Sequence, residues 1–349
     1  MHKNDLKDIL LTKGESELQS LYKRAYDLKC KNLGIKVHLR GLIELSNICV
    51  KNCYYCGIRH DNRSLARYEL TYDQVLESAL FAHKSNYGSV VLQGGERTDD
   101  RFRLKVARLV KKIKEISNGE LGITLSLGEQ PADVYREWYN SGAHRYLLRI
   151  ESSSQEIYYR IHPQDSNHSF EKRVEAIDNL MKIGYQTGTG VMIGLPYQTV
   201  DNLVDDLLFF KSKNIHMVGM GPYLVHSKTP LGNVKVDTDF GDARKIDMPL
   251  KMISALRLLM PNINIAATTA LQVLDPYGRE LGIKAGANII MPNMTIPTVR
   301  SKYTIYENKP GVNDDAEITK SKLERNLNDM GLEIGWKEWG DSLAFKTKE

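Results

Sequence analysis

Val37-His38-Leu39-Arg40-Gly41-Leu42-Ile43-Glu44-Leu45 runs directly into Ser46-Asn47-Ile48-Cys49-Val50-Lys51-Asn52-Cys53-Tyr54-Tyr55-Cys56-Gly57. The first part reads as a strand. The second is the loop at its end, with cysteines spaced C-x3-C-x2-C. Thiolates are the usual ligands of iron–sulfur clusters. Cys49, Cys53 and Cys56 can hold three corners of a cubane [4Fe–4S] cluster and leave the fourth iron free for another ligand. Zinc is a competing reading, but a structural zinc normally takes four ligands. The other cysteine, Cys30, lies well upstream, and a histidine such as His60 would have to complete a Cys3His set. A redox pair of Cys53 and Cys56 would leave Cys49 without a role. A disulfide framework does not fit, because the cysteines are too few and no secretory signal is present.

Bulk properties are those of an ordinary globular chain. Of 349 residues, 42% are hydrophobic and 26% charged, enough for one large α/β barrel with short extensions or for two domains. The net charge of +5 is small for this length. Basic residues alternate with acids, as in Lys111-Lys112-Ile113-Lys114-Glu115, which describes a solvated helix face and no nucleic-acid footprint. No apolar run approaches the roughly 18 residues of a membrane span. Met1-His2-Lys3-Asn4-Asp5 lacks the apolar core of a signal peptide. The clustered cysteines fit a reducing, anaerobic cytoplasm.

Residues 4–33 carry leucines and isoleucines at helical intervals, with a break near Gly14. From Val37 onward a unit repeats: a short apolar strand, a loop, then an amphipathic helix. Strands are expected at 37–45, 89–93, 123–127, 145–151, 186–193, 217–222, 263–268 and 287–291. Helices are expected at 71–84, 100–117, 131–140, 170–182, 200–212, 247–259 and 278–284, with a polar insertion at about 226–246. The first of these helices opens with Thr71-x-x-Gln74, a capping box. Eight such units predict an α/β fold, a full (β/α)8 TIM-type barrel. An open doubly wound sheet is the alternative. The expected organisation is an N-terminal helical extension over 1–36, the barrel over 37–295 and a short C-terminal extension over 296–349.

Catalytic groups of such barrels sit at the C-terminal ends of the strands. After the second strand, Gln93-Gly94-Gly95-Glu96 offers glycines that let the backbone approach a ligand closely. Ser126 ends the third strand and either faces a ligand or supports its own loop. Alternation places Arg145, Arg149 and Glu151 on one face of the fourth strand and Tyr146, Leu148 and Ile150 on the other. Charges inside a barrel are costly unless paired or functional, so Arg149 and Glu151 are either an ion pair or ligand contacts. Arg173 falls in the first turn of the next helix, where an arginine can fork onto a carboxylate. Met192 and Ile193 end the fifth strand, which holds Gly188 and Gly190, and interior glycines often mark close approach of a ligand. Thr268 and Thr269 pair hydroxyls at the end of the seventh strand. Tyr303 and Tyr306 follow the eighth and are placed to cover the barrel mouth.

The cysteine spacing, with the Gly-Gly-Glu string after the second strand, resembles the radical S-adenosylmethionine (SAM) superfamily. Further strings narrow the likeness: Ile43-Glu44-Leu45-Ser46-Asn47, Val91-Leu92-Gln93-Gly94-Gly95-Glu96, Thr124-Leu125-Ser126-Leu127-Gly128-Glu129 and Arg145-Tyr146-Leu147-Leu148-Arg149. Met192-Ile193-Gly194-Leu195-Pro196, Val218-Gly219-Met220-Gly221-Pro222 and Ala267-Thr268-Thr269-Ala270 extend it. Together, from about Val37 to Tyr306, they resemble the HydE family of [FeFe]-hydrogenase maturases.

That resemblance implies one [4Fe–4S] cluster on Cys49, Cys53 and Cys56, with Tyr55 packed beside it. It implies S-adenosyl-L-methionine bound among Gln93, Gly94, Gly95, Glu96, Ser126, Glu151, Arg173 and Met192. Arg40, Arg149, Thr268, Thr269, Tyr303 and Tyr306 would face a substrate cavity below. One electron from the cluster would cleave SAM to methionine and a 5′-deoxyadenosyl radical. The implied substrate is a small organometallic species, a cysteine-bound iron carbonyl–cyanide. HydG and HydF are the implied functional partners, and a flavodoxin or ferredoxin-like protein the electron donor. Some family members carry C-terminal cysteines for an accessory cluster; here no cysteine follows Cys56, so a second cluster is not expected. Two other readings stand beside this one: a SAM mutase of the methylornithine synthase type, and a non-catalytic iron–sulfur carrier or scaffold.

Overall fold

The computed structural model describes residues 1–235, 238, 246–311 and 316–346. Two helices, α1 (Lys3–Leu11) and α2 (Glu15–Leu33), precede the first strand, and Gly14 separates them as expected. The strands are β1 (Lys36–Ser46), β2 (Ser89–Gly94), β3 (Gly122–Ser126), β4 (Arg145–Leu147), β5 (Gln186–Thr189) and β6 (Met192–Ile193). They continue with β7 (Met217–Val218), β8 (Gly221–Pro222), β9 (Asn264–Ile265), β10 (Ile289–Ile290) and β11 (Glu333–Ile334). The principal path runs β10-β1-β2-β3-β4-β5-β7-β9, with parallel neighbours throughout. Its two ends meet at a parallel bridge between Ala266 and Ile289. Ala267 N–H donates to Ile289 O and Asn288 N–H to Ile265 O, both at 2.9 Å. The sheet therefore curls onto itself, the (β/α)8 arrangement that the repeated unit predicted.

The connecting helices are α3 (Tyr72–Lys84), α4 (Asp100–Ile116), α5 (Ala132–Asn140), α6 (Gln155–Ile161), α7 (Phe170–Ile183) and α8 (Val200–Ser212). They are followed by α9 (Asp247–Leu259), α10 (Leu271–Leu274) and α11 (Gly278–Lys284). The Thr71 capping box forms: its hydroxyl accepts from Gln74 N–H at 3.2 Å, and Gln74 Oε1 accepts from Thr71 N–H at 2.9 Å. Sequence periodicity missed α6, a short helix of about two turns capped by Ser154. Among the described residues no helix is long and apolar enough to cross a membrane. Part of the expected polar insertion, 236–237 and 239–245, lies outside the described residues.

Strand alternation sorts the walls. A Cβ at Gly41 would point at Ala82 of α3, so odd residues of β1 face the helices and Arg40 faces inward. Tyr146 of β4 points outward among Tyr135 and Tyr185, with ring centroids at 5.0 and 5.6 Å. Such pairs contribute about 0.5–1.5 kcal/mol each beyond their buried area. The Tyr146 hydroxyl donates to Gly128 O at 2.8 Å, which ties the β3 loop to this core. Arg145 alternates inward and is fully buried.

Five expected strands are shorter than predicted or split: 217–222 becomes β7 and β8, 263–268 and 287–291 shrink to the two residues of β9 and of β10, and 145–151 and 186–193 also change. β4 stops at Leu147; beyond it Leu148 N–H still donates to Gly188 O and Glu151 N–H to Gly190 O, both at 2.9 Å, and Glu151, at a left-handed φ of 66°, bridges Val191. The run predicted as 186–193 is split into β5 and β6, and β6 pairs with β8 in a separate ladder at the barrel mouth. The expected C-terminal extension visits both ends of the barrel. Residues 303–309 lie at the mouth, where Gln93 Nε2 donates to the Tyr303 hydroxyl at 3.3 Å. β11 pairs with the start of β1, and the following residues seal the opposite end. There Gly340 O accepts from Arg40 Nη2 at 3.1 Å and from Asn264 Nδ2 at 2.8 Å, while Arg145 Nη1 meets Asp341 Oδ1 at 2.5 Å.

Candidate functional site

The cysteine loop leaves the C-terminal end of β1 and folds back over the mouth. Asn52 N–H donates to His168 Nε2 at 2.9 Å, and His168 Nδ1 pairs with Asp165 Oδ1 at 2.7 Å. Asn47 anchors the other side through Ala66 O at 2.9 Å and Lys302 O at 2.7 Å. Gly95 lies against the loop so closely that a Cβ there would overlap Ile48 O and stand 2.8 Å from the Cys49 Cβ. Gly57, just past the motif, gives its N–H to Ile305 O at 3.0 Å, and a Cβ there would run into Thr304 O and the His226 ring. Both glycines are close-approach positions.

All four cysteines are free thiols. Burial pushes the Cys53 thiol up to about 12, with Cys49 adding to the shift; burial and Cys53 raise Cys56, and burial and Glu96 raise Cys49. Cys49 raises Cys53, and both raise Cys56, so the three half-buried thiols need cationic charge to exist together as thiolates. An iron–sulfur core supplies it, so the donor set fits that group. A single zinc ion fits less well. Among the described residues no three His, Cys, Asp or Glu side chains converge on one point. His60 is exposed and paired with Asp61 at 2.9 Å. Cys30 sits on α2, outside the barrel.

Tyr55 packs edge-on against His162 with centroids 5.3 Å apart, and its hydroxyl lies 3.2 Å from His162 Nε2. His162 stacks in turn on Tyr158 of α6 at 4.1 Å. The Ile157, Tyr158 and Ile161 pattern was the only sequence signal for this support. Met192 packs with Tyr55 and Tyr54 in a small apolar cluster beside the loop. Gln93 and Ser126 are register partners at the ends of β2 and β3.

Glu151 and Arg149 pair, with Nε to Oε1 at 2.9 Å, and Arg149 Nη2 donates to Val191 O at 2.9 Å. A non-glycine residue at positive φ is uncommon and is often found where geometry serves a site. Arg173 reaches the same place from the start of α7. It donates to Arg149 O at 2.6 Å and pairs through Nε with Glu129. Glu96 is buried; Oε2 accepts Glu129 N–H at 2.9 Å and Oε1 lies 3.3 Å from Lys51 Nζ.

Deeper in the barrel, Arg40 donates to Met217 Sδ at 3.0 Å beside a cavity of ≈ 30 Å³ that Thr124, Leu147 and Asn264 also line. Burial, with Arg145 nearby, lowers the Arg40 pKa well below its usual value. Thr268 gives its hydroxyl to Met220 O at 3.1 Å, and Thr269 Oγ1 accepts from Arg279 Nη2 at 2.8 Å. Tyr303 is buried and Tyr306 half-buried at the mouth. Lys309 crosses above Tyr303, 5.0 Å from the ring centroid, and pairs with the buried Glu44 of β1. Glu44, Lys51, Glu129, His162, Arg279 and Lys309 were not singled out from sequence, since nothing local distinguishes them from surface charges.

Comparison with known proteins agrees with this geometry. The Radical SAM superfamily model matches residues 43–210. The [FeFe] hydrogenase maturase subunit HydE of Thermotoga maritima is 41% identical over 345 residues, 98% of this chain and 94% of that protein. The 3-methylornithine synthase of Methanosarcina acetivorans is 26% identical over 82% of this chain and 78% of its own length. The crystal structure of methylornithine synthase (PylB) superposes with a TM-score of 0.82 at 24% identity, covering 96% of this chain and 94% of that one, which shows a shared fold. A radical SAM enzyme uses a [4Fe–4S] cluster and S-adenosylmethionine, and the thiol loop fits that use. The chain belongs to the HydE family of radical SAM maturases.

Proposed function

We propose that this enzyme acts in maturation of the [FeFe]-hydrogenase H-cluster, on a cysteine-bound iron carbonyl–cyanide precursor made by HydG and passed on toward HydF. A flavodoxin or ferredoxin-like protein is the proposed electron source. When bound, the reduced cluster supplies the electron that cleaves SAM to methionine and a 5′-deoxyadenosyl radical. The chain's own residues do the rest. Cys49, Cys53 and Cys56 hold the cluster. The Gly94-Gly95 backbone, Gln93, Ser126 and Met192 line the cofactor's bed, Glu151 receives its ammonium or ribose hydroxyls, and Arg173 its carboxylate. Arg149, Thr268, Thr269, Tyr303 and Tyr306 form the wall of the substrate cavity, with Arg40 at its floor.

The observation that carries this reading is the meeting of four distant segments at one mouth: the cysteine loop against Gly95, and Arg173 on the Arg149–Glu151 turn. A carrier or scaffold has no use for that second half. The test is anaerobic maturation of apo-hydrogenase with HydG, HydF, SAM and reductant, reading hydrogen evolution. Activity with this protein and none with Cys56→Ala is expected. A cluster-loaded preparation that cleaves SAM but gives no hydrogenase activity would overturn the maturase role and lead to the mutase reading. A loaded, reduced preparation that yields no 5′-deoxyadenosine would overturn the radical mechanism.

A further inference from the structure

Lys51 lies between Cys49 and Cys53, inside the cysteine motif, yet its side chain is only 6% exposed. Its Nζ stands 2.9 Å from Glu129 Oε2 and 3.3 Å from Glu96 Oε1, and it also donates to Asn167 O. Glu129 uses its other oxygen for Arg173 Nε. Glu96 uses its other oxygen for Glu129 N–H at 2.9 Å. Two cations and two carboxylates thus balance in a buried chain that runs from the cysteine loop to Arg173. Burying charges costs several kcal/mol per ion unless each is paired and hydrogen-bonded, and here every member is.

The middle of the chain is fixed to the core. Tyr146 and Tyr135 hold the flanking Gly128 O, at 2.8 and 3.3 Å, and Gln130 N–H donates to the Tyr135 hydroxyl at 3.0 Å. Glu129 is therefore a fixed point, to which Lys51 draws the cysteine loop and Arg173 is docked. The bonds of Arg173 to Glu129 and Arg149 O use Nε and Nη1, not Nη2. Glu96 is turned toward Lys51 and the Glu129 amide.

We propose that Lys51, Glu96 and Glu129 are positioning residues forming a buried relay that sets Arg173 relative to the cysteine loop, and that the Glu96 side chain serves this relay and does not contact the ammonium group of SAM. This rests on the reading of the mouth as the SAM site. Removing the outer partners of a metal site typically costs 10–100-fold in metal affinity or activity. The Lys51 charge sits within the cysteine loop and offsets the neighbouring Glu96 carboxylate, so its loss makes the cluster harder to reduce.

The experiment uses anaerobically reconstituted full-length protein. Iron and sulfide content, the cluster midpoint potential by EPR-monitored titration, and the SAM dissociation constant by equilibrium dialysis are read for wild type, Lys51→Met, Lys51→Arg and Glu129→Gln. Lys51→Met is expected to shift the midpoint to more negative potential and to weaken SAM binding on the order of tenfold or more. Lys51→Arg is expected to restore both toward wild type. Glu96→Gln is expected to add almost nothing on the Lys51→Met background, since coupled groups are non-additive. A loaded Lys51→Met protein with wild-type midpoint and affinity overturns the relay, as does full additivity with Glu96→Gln. Should Lys51→Met fail to load, Glu129→Gln, which lies outside the cysteine loop, decides: unchanged SAM affinity overturns the proposal and weakened affinity supports it. Wild-type protein that loads its cluster yet binds no SAM would overturn the site reading itself, a different result from variants that all bind alike.

Discussion

Replacing Asp341 by asparagine removes the carboxylate that, among the described residues, faces Arg145 at the closed end of the barrel. Arg145 is fully buried, and Asp341 is 18% exposed on its side chain. Nη1 of the arginine also donates to Trp339 O at 2.9 Å and Nε to Thr124 Oγ1 at 2.9 Å, but neither acceptor carries charge. Burial draws the Arg145 pKa down to about 10, so the guanidinium remains charged at neutral pH and loses its counter-charge in the variant. Breaking a buried pair costs about 3–5 kcal/mol, and the partial exposure of Asp341 favours the lower figure. Unfolding entropy of about 2.1 cal/mol/K per residue over 349 residues sums to about 0.7 kcal/mol/K. A loss of about 3 kcal/mol then lowers Tm by about 4 °C. The assay is thermal unfolding of the apo-protein by circular dichroism at pH 7.5, where His144, pushed down to about 4 by burial and by Arg145, is neutral.

The same pair fixes the sign of a pH effect. Against burial, which raises it, the hydrogen bond from His144 and the charge of Arg145 hold the Asp341 carboxyl well below its ordinary 3.8. A carboxylate with a depressed folded pKa contributes stability that is fully present above its unfolded pKa and is lost as pH falls through the folded one. The gap between wild type and Asp341→Asn is therefore constant from pH 6 to 8 and narrows below about pH 4. Equal melting temperatures at pH 7.5, or a gap that widens in acid, would refute this account of the closed end.

Gly95→Ala places a methyl group against Ile48 O and Cys49 Cβ; overpacking of this kind costs about 1–3 kcal/mol, and the cysteine loop is what must move. Reduced iron retention on desalting, with a far-ultraviolet spectrum like wild type, is the expected result, and full retention would contradict the close packing. Glu151→Gln removes a charge from the proposed ammonium or ribose contact, and hydrogen bonds to charged groups are worth about 1.5–3 kcal/mol. SAM affinity should fall roughly 10–100-fold in equilibrium dialysis while iron content stays level.

Features that depend on neighbours along the chain were legible in the residues alone. Short apolar runs between amphipathic helices marked the strand positions, because strands buried on both faces of a parallel sheet read as near-continuous apolar segments. The Thr71–Gln74 cap formed as written because its atoms lie within one helical turn. Cysteine spacing identified the thiol loop for the same local reason, and strand alternation put Tyr146 outward and Arg145 inward. What tertiary structure decided are contacts whose partners are remote in the chain. Closure of the barrel brings Lys51 to Glu96 and Glu129, and Glu129 to Arg173. β11 carries the C-terminal segment under the barrel, where Asp341 meets Arg145. The positive φ of Glu151 occurs where it bridges Val191 and shows no trace in its own residue type. Lys51–Glu129, Glu129–Arg173 and Arg145–Asp341 join residues far apart in the chain, so closure of the sheet decides them, whereas Arg149 and Glu151, two residues apart, fall within one window of sequence.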